Sequence, residues 1–373
     1  MHSVLLLGSG KIGRMIAKLL GTAPEYRLVV ADHDEAALQR LRAQLPVETR
    51  VLDAARRADL EVAMQGMDSV ISALCFSFNP LVAEVACDQG VSYFDLTEDV
   101  ATTRAVKQVA SRARPAQIFM PQCGLAPGFV SIAAHDLTRG FERLDKVFMR
   151  VGALPQFPSN ALKYNLTWST DGLINEYLNP CESIHQGSRR DVLPLEGLEH
   201  FSIDGVRYEA FNTSGGLGTL CETLEGRVDE LNYKTIRYQG HRDLMAFLIA
   251  GLRLGDRRDL LKEILENAVP VTYQDVVVIF CTVSGIRAGK LEQVTDARKI
   301  YSSELDGEVW SAIQITTAAG ICAMLDLHRE HRLRRSGFVR QEEVALATFL
   351  GNRFGSYYQP GTRSEFSITS EGG

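Results

Sequence analysis

Cysteine is thin and scattered in this 373-residue chain: seven residues, at 75, 87, 123, 181, 221, 281 and 322, with no C-x-x-C and no even-numbered set. That excludes a disulfide framework and reads as reduced thiols. Positive charge is also in deficit. Forty Lys and Arg against 46 Asp and Glu leave a net charge of -6, which on average repels nucleic acid and anionic membrane surfaces. Long hydrophobic runs are missing as well. The apolar start MHSVLLLGSG has no basic segment before it, and glycines interrupt it before signal-peptide or membrane length. The expectation is a cytoplasmic protein whose partner is a small molecule, with no nucleic acid and no membrane. No repeat or low-complexity stretch is evident. The charged RRDLLKE reads as a helix face without the aromatic interleaving of a nucleic-acid binder. His328 and His331 in DLHREHRLRR stand at helical spacing but make no H-E-x-x-H. Their charged surroundings predict a solvated helix end, and no metal site is expected.

Hydrophobic residues make up 45% of the chain and charged residues 23%, a globular profile whose length suits two domains. The first third alternates. Val4–Leu7 is a short apolar strand that runs into Gly8-Ser9-Gly10-Lys11-Ile12-Gly13 and then a helical IGRMIAKLLG. Strand Arg27–Ala31 ends on Asp32. Helical DEAALQRLRAQL, DLEVAMQ, LVAEVACDQ and ATTRAVKQVASRA then alternate with strand-like TRVLD, DSVISAL, VSYFDL and AQIFM. Such alternation predicts a doubly wound parallel sheet covered on both faces, a Rossmann fold. Beyond about residue 130 the pattern turns α+β. KVFMRVGAL, YNLTWS, TIRYQG, DVVVIFCTVSG and SAIQITT read as strand-like, Ala312–Leu327 as a buried helix, and GTRSEFSITSEGG as a mobile tail.

The glycine run sits between strand and helix, which is the context that gives G-x-G-x-x-G its meaning. Gly8 permits the turn, Gly10 lets amides approach a pyrophosphate, and Gly13 lets helix pack on strand. Asp32 ends the next strand, where it can accept from the adenine-ribose hydroxyls and repel a 2'-phosphate. No arginine follows at 33 or 34, so the expected cofactor is NAD rather than NADP. Ligands of such sheets lie beyond the carboxyl ends of the strands. Ala73 and Leu74, Thr97, and Gly124-Leu125-Ala126-Pro127 are therefore further cofactor candidates. The turn CGLAPG falls where a nicotinamide ring is expected.

Four segments of the second half, PQCGLAPGF, YNLTWSTDGLINEY, EAFNTSGGLGTL and NYKTIRYQGH, follow the dinucleotide half in an order that resembles the saccharopine dehydrogenase-like superfamily. Within it, the resemblance is to the lysine 6-dehydrogenases. It covers the chain to about Tyr358. It implies a Rossmann domain over 1–126, a mixed α/β substrate-binding and oligomerisation domain over 127–311, C-terminal helices over 312–358 that pack back on the first domain, and a flexible tail over 359–373. It also implies NAD-dependent oxidative deamination of the L-lysine ε-amine to 2-aminoadipate 6-semialdehyde, which cyclises to a piperideine carboxylate, with release of ammonia, and a homo-oligomer, dimer or larger. The rival within the superfamily is a saccharopine- or carboxynorspermidine-type reductase that condenses an aldehyde with an amine. Saccharopine reductases carry Gly-Leu-Asp-Pro-Gly at the turn where this chain has Ala126, and they favour NADP. Ala126 and Asp32 both point to the deaminating branch.

Candidate residues follow from that chemistry. Glu98 and Asp99, past the fifth strand, are candidates for the base; the alternative is that they cap the following helix. Asp171 is a candidate contact for the amine, or a helix cap. The α-carboxylate needs a cation or a nest of amides. Arg237 offers a five-donor fork, and Asn212-Thr213-Ser214 with the following glycines offers amides and hydroxyls. Tyr164, Asn165 and Trp168 are expected to line the aliphatic stem, with a core role the alternative for Trp168. His241 is either a group titrating near neutrality or a structural histidine.

Overall fold

A computed structural model describes residues 1–359 and the backbone of 368–369. Most of the expected tail, 360–367 and 370–373, lies outside the described residues. The elements in chain order begin with β1 (His2–Leu7), α1 (Lys11–Gly21), β2 (Tyr26–Asp32), α2 (Glu35–Gln44), β3 (Glu48–Val51) and α3 (Arg57–Met64). They continue with β4 (Ser69–Ser72), α4 (Asn79–Gln89), β5 (Ser92–Asp95), α5 (Val100–Ala110) and β6 (Ile118–Met120). Next come α6 (Phe129–Leu137), β7 (Arg143–Pro155), α7 (Thr170–Leu178), β8 (Cys181–His185), β9 (Ser188–Val192), β10 (Glu199–Ile203) and β11 (Val206–Asn212). After α8 (Leu220–Leu224) follow β12 (Val228–Tyr238), α9 (His241–Ala246), α10 (Arg258–Ala268), β13 (Asp275–Arg287), β14 (Lys290–Tyr301), β15 (Ser303–Leu305) and β16 (Glu308–Trp310). The chain closes with α11 (Ala312–Arg329), β17 (Gly337–Phe338), α12 (Leu346–Leu350) and β18 (Ile368–Thr369).

These residues form two compact units: 1–129 with 314–357, and 130–313 with the residues from 358 on. The first holds a seven-stranded parallel sheet in the order β17-β6-β5-β4-β1-β2-β3. Its central strands are near-continuous apolar runs because helices cover both faces: Val4 to Leu7 and Val29 to Val30 are fully buried, and Leu5, Leu7 and Val29 pack with Leu60, Val82, Val85 and Val106 from the helices. Strand order reverses between β1 and β4, which opens a crevice at their carboxyl ends. The residues 337–338 return to pair with β6, and Tyr26 donates from its hydroxyl to Asp326 of α11 at 2.6 Å. His328, expected at a solvated helix end, packs instead against Phe94 and His2, with ring centroids 5.7 and 6.2 Å apart. Burial pushes its imidazole down to about 4.

The second unit is built on a mixed sheet, β14-β13-β7-β12-β11-β10-β18, in which β7 and β12 run parallel and the other neighbours antiparallel. A core of Tyr164, Leu173, Ile174, Tyr177, Phe211, Leu261 and Leu265 joins α7 and α10 to β11. Two expectations fail here. YNLTWS is not a strand: Asn160 donates to the Tyr164 carbonyl at 2.7 Å and Leu166 N donates to Pro270 O at 3.0 Å, so its backbone partners are loops and side chains rather than a ladder. SAIQITT is not a strand either. From Ala312 it forms the first turns of the 18-residue α11, whose continuation is apolar long enough to set a helix.

Candidate active site

In the first unit the glycine loop has the shape a dinucleotide needs. Gly8 holds φ +100° beneath Ala73, whose carbonyl oxygen would lie 2.9 Å from a Cβ. At Gly13 a Cβ would fall 2.0 Å from the Gly8 oxygen, so only glycine lets α1 approach β1. Gly10 is different: a Cβ there meets nothing within 4 Å, and it caps α1 without any side-chain hydrogen bond. The first-turn amides of Lys11, Ile12 and Gly13 thus begin a helix at an open edge, the arrangement that receives phosphate. Asp32 Oδ2 accepts from Ser9 N at 2.6 Å and Ser9 Oγ at 2.8 Å, and Oδ1 accepts from Asp34 N at 3.0 Å. Burial opposes its charge, but those donors outweigh it and hold the carboxyl below its ordinary range. The carboxylate is therefore ionised and fixed at the end of β2, with His33 Nδ1 at 3.1 Å.

The other cofactor candidates of this unit stand at the carboxyl ends of β4, β5 and β6, as parallel-sheet topology requires. Ala73 N donates to Leu7 O at 2.8 Å, and Leu74 leans toward Gly8. Thr97 is buried, and its hydroxyl accepts from Asp99 N at 3.1 Å. Asp99 caps α5, its Oδ1 accepting from Thr102 N at 2.7 Å, which is the capping alternative. Glu98 is half-buried beside it. Gly124 and Leu125 are buried, Ala126 is half-buried, and the Ala126–Pro127 peptide is cis. Gly128 folds back on Gly124 so closely that a Cβ would lie 2.1 Å from its oxygen. The turn is therefore a packed floor.

In the second unit Arg237 is 3% exposed. Its Nε donates to Tyr177 Oη at 3.0 Å, and Nη1 donates to Thr235 Oγ1 at 2.7 Å and to Ile236 O at 2.8 Å. The guanidinium carbon lies 4.8 Å from the Tyr164 ring centroid and 5.8 Å from that of Tyr177. Among the described residues Nη2 makes no hydrogen bond, so one edge of the fork is available. Trp168 Nε1 donates to Tyr164 Oη at 3.2 Å. His241 is buried; Nδ1–H donates to Leu162 O at 2.8 Å, which leaves Nε2 to accept from Tyr177 Oη at 2.9 Å. Burial, then Arg237, pushes its imidazole down to about 3. It is neutral, and the expectation of titration near neutrality is corrected.

Two further expectations change. Asp171 sits in the first turn of α7, where Ser169 is the cap, and it accepts from Lys262 Nζ at 2.7 Å; it is a helix-surface ion pair. The Asn212–Ser214 amides are largely committed: Asn212 N to Glu196 O, Ser214 N to Glu176 O and Ser214 Oγ to Asn175 O. What remains open is a set of buried atoms without partners: Thr213 Oγ1, Asn165 Oδ1, Thr167 Oγ1 and Asn175 Nδ2. Each orphan costs on the order of 1–3 kcal/mol unless a ligand or water meets it. Thr167, Asn175, Tyr177 and the buried Glu176 were not legible as site residues. The spacing of Leu173, Ile174 and Tyr177 on one face of α7 is the signal that could have turned Tyr177 inward.

The fold and the glycine loop define a two-unit, dinucleotide-binding class. The chain belongs to the saccharopine dehydrogenase family: residues 4–120 match the saccharopine dehydrogenase NADP binding domain and residues 124–352 the saccharopine dehydrogenase C-terminal domain. A pyridine nucleotide is the cofactor of that first domain. The chain is similar to the mitochondrial alpha-aminoadipic semialdehyde synthases of Rattus norvegicus, 21% identical over 328 residues, and of Mus musculus, 21% over 331. Each match covers 82% of this chain and 33% of the relative, so the chain spans about a third of the length of the curated relatives it matches. Apo saccharopine dehydrogenase (L-Glu forming) from Saccharomyces cerevisiae superposes with a TM-score of 0.77 at 16% identity over 96% of each chain, which shows the shared fold. Among the described residues no helix is long and apolar enough to cross a membrane, and no three His, Cys, Asp or Glu are grouped to hold a metal.

Proposed function

We propose that the chain is an NAD-dependent L-lysine 6-dehydrogenase. Arg237 carries the reading: a buried guanidinium with one free edge, walled by tyrosines, suits the α-carboxylate of an amino acid. Thr213, Asn165 and Thr167, buried in the same unit without partners, are the acceptors proposed for the α-ammonium, and Tyr164 and Trp168 are proposed to wall the methylene stem. A bound NAD would supply the acceptor for the hydride that lysine Cε loses. Water would add to the resulting imine and ammonia would leave, and the balance is lysine with its ε-ammonium, NAD⁺ and water to semialdehyde, ammonium, NADH and a proton. The ε-amine must be neutral before its lone pair can push, and at pH 7 that costs about 4 to 5 kcal/mol. Glu98 is the remaining candidate for the base that removes this proton. The ionised, anchored Asp32 supports NAD over NADP, since it would face a 2'-phosphate. Assembly as a dimer or larger, which the family resemblance implies, and a cytoplasmic setting, which the composition suggests, belong to the same proposal.

A second reading, a saccharopine- or carboxynorspermidine-type reductase, is favoured by the NADP description of the first domain model and by the yeast neighbour. The absence of a carboxylate at position 126 argues against it. NADH absorbance with purified protein and NAD at about pH 9 to 10 separates the two. Lysine should give a rising trace, with ornithine and saccharopine near the blank. A flat trace with lysine, or turnover only when NADPH, an aldehyde and an amine are all present, overturns the proposal. A rate maximum at or below neutral pH would also count against it.

A further inference from the structure

We propose that Asp95 is the positioning residue of the nicotinamide end of the cofactor site, tying the loop after β5 to the loop after β6 so that the nicotinamide half of the dinucleotide finds a preformed floor. This rests on the cofactor reading above. Asp95 ends β5 and is fully buried. Its Oδ1 accepts from Thr97 N and from Gln122 N, both at 2.9 Å, and its own carbonyl accepts from Cys123 N at 2.8 Å. One residue thus makes three bonds to two loops, and those loops continue into Thr97–Asp99 on one side and Gly124–Pro127 on the other. Oδ2 accepts from Tyr93 Oη at 2.6 Å, which fixes the carboxylate plane.

The tie does more than close the end of a strand. Gln122 sits at φ +65°, a left-handed conformation that costs a non-glycine residue on the order of 1–2 kcal/mol. The Asp95 oxygen is what meets the amide so presented. Behind it, Gln341 Nε2 donates to Pro121 O at 2.9 Å, and Gly320 of α11 approaches so closely that a Cβ would lie 2.6 Å from Cys123 O. The β6 loop is therefore held from both sides, and Asp95 is the side that also holds the β5 loop. Among the described residues no cation pairs with Asp95. A buried, unpaired carboxyl is costly, and here amides rather than a counter-charge offset it. Burial pushes its carboxyl up to about 6 against the bonds from Tyr93, Gln122 and Thr97. Acceptor geometry, not charge, does the tying, so asparagine can replace it: its oxygen still accepts both amides and its amide group donates to Tyr93 Oη.

Calorimetric titration of the whole chain with its dinucleotide, NAD or NADP, and with the matching ADP-ribose that lacks nicotinamide, tests this. Asp95→Ala should weaken dinucleotide binding about ten-fold or more, as expected for losing bonds to two loops, while ADP-ribose binding stays within about two-fold. Asp95→Asn should bind the dinucleotide within about three-fold of wild type. Equal loss for both ligands means a general structural defect and overturns the proposal, as does an Asn variant as weak as Ala. If Asp95→Ala does not fold, amide exchange in the wild type decides. Thr97 and Gln122 amides should slow further with dinucleotide than with ADP-ribose, and equal slowing overturns the tie. A wild type that binds ADP-ribose and dinucleotide alike, with no gain from nicotinamide, also overturns it; one that binds neither overturns the cofactor reading itself.

Discussion

Acidification should loosen the second unit through one buried imidazole. His241 is 1% exposed, with its two nitrogens committed to Leu162 O and Tyr177 Oη and the Arg237 guanidinium in the same cluster. Its folded value of about 3 lies below the ordinary 6.5, so as pH falls the unfolded chain takes up the proton first. The stability His241 lends is complete above about pH 6.5 and drains as pH falls toward 3. Between pH 7 and 5 the unfolded chain gains about 1.4 units of protonation free energy that the native state does not, which is about 2 kcal/mol. Other groups titrate in the same window: Asp95 and Asp275 are pushed up to about 6 and His328 down to about 4. They are common to wild type and His241→Gln, so the difference between the two proteins isolates His241. Urea unfolding followed by tryptophan fluorescence reads the correct unit, because both tryptophans, Trp168 and Trp310, lie between residues 130 and 313. Wild type should lose about 2 kcal/mol more than His241→Gln between those pH values. Parallel losses would mean that the imidazole is hydrated or charged in the native state, and the neutral network described for it would be wrong.

Arg237→Ala should raise the KM for lysine about 10- to 100-fold, the worth of a charge-assisted hydrogen-bond pair, with a smaller effect on kcat. An unchanged KM would place the carboxylate elsewhere. Asp32→Asn should shift the ratio of kcat/KM for NADP over NAD upward by about ten-fold or more, and steady-state rates with both cofactors showing no shift would refute its role against a 2'-phosphate. Gly13→Ala puts a Cβ 2.0 Å from the Gly8 oxygen. It should cost about 1–3 kcal/mol and remove dinucleotide binding, and a thermal midpoint still raised normally by NAD would contradict the close-approach argument.

Much of the first unit was readable because short strands and helices alternate there, with β1 running into Gly8, β2 ending on Asp32 and β5 on Asp95. Gly8, Gly10, Gly13 and Asp32 carried their meaning in local context, since loop, helix and strand end lie within 25 residues. The second unit hid more. YNLTWS has the β-branched and aromatic composition of a strand, but composition does not report that Asn160 and Pro270 take its backbone bonds. SAIQITT carries Ile313, Ile315, Thr316 and Thr317, residues at home in strands, yet tertiary burial along α11 overrode that preference. Arg237 was visible as a fork. Its partner Tyr177 is 60 residues away, and Tyr177 meets His241 across 64. No local motif encodes such a triad. Asp99 and Asp171 show the opposite limit: an acid at a helix start is a cap or a surface ion pair before it is a base.

The first unit is interrupted in sequence by the whole of the second. Its edge strand at 337–338 and the α11 residue Asp326, which takes the Tyr26 hydroxyl, are made only after residues 130–313 have been synthesised. During translation the glycine loop therefore emerges into a half whose sheet lacks its last strand, and the β6 edge stays unpaired until residues 337–338 are made. Completion of the nucleotide-binding half is thus timed by the residues that follow the inserted unit rather than by those that precede it. The inserted unit must fold, or at least stay soluble, before its host can close.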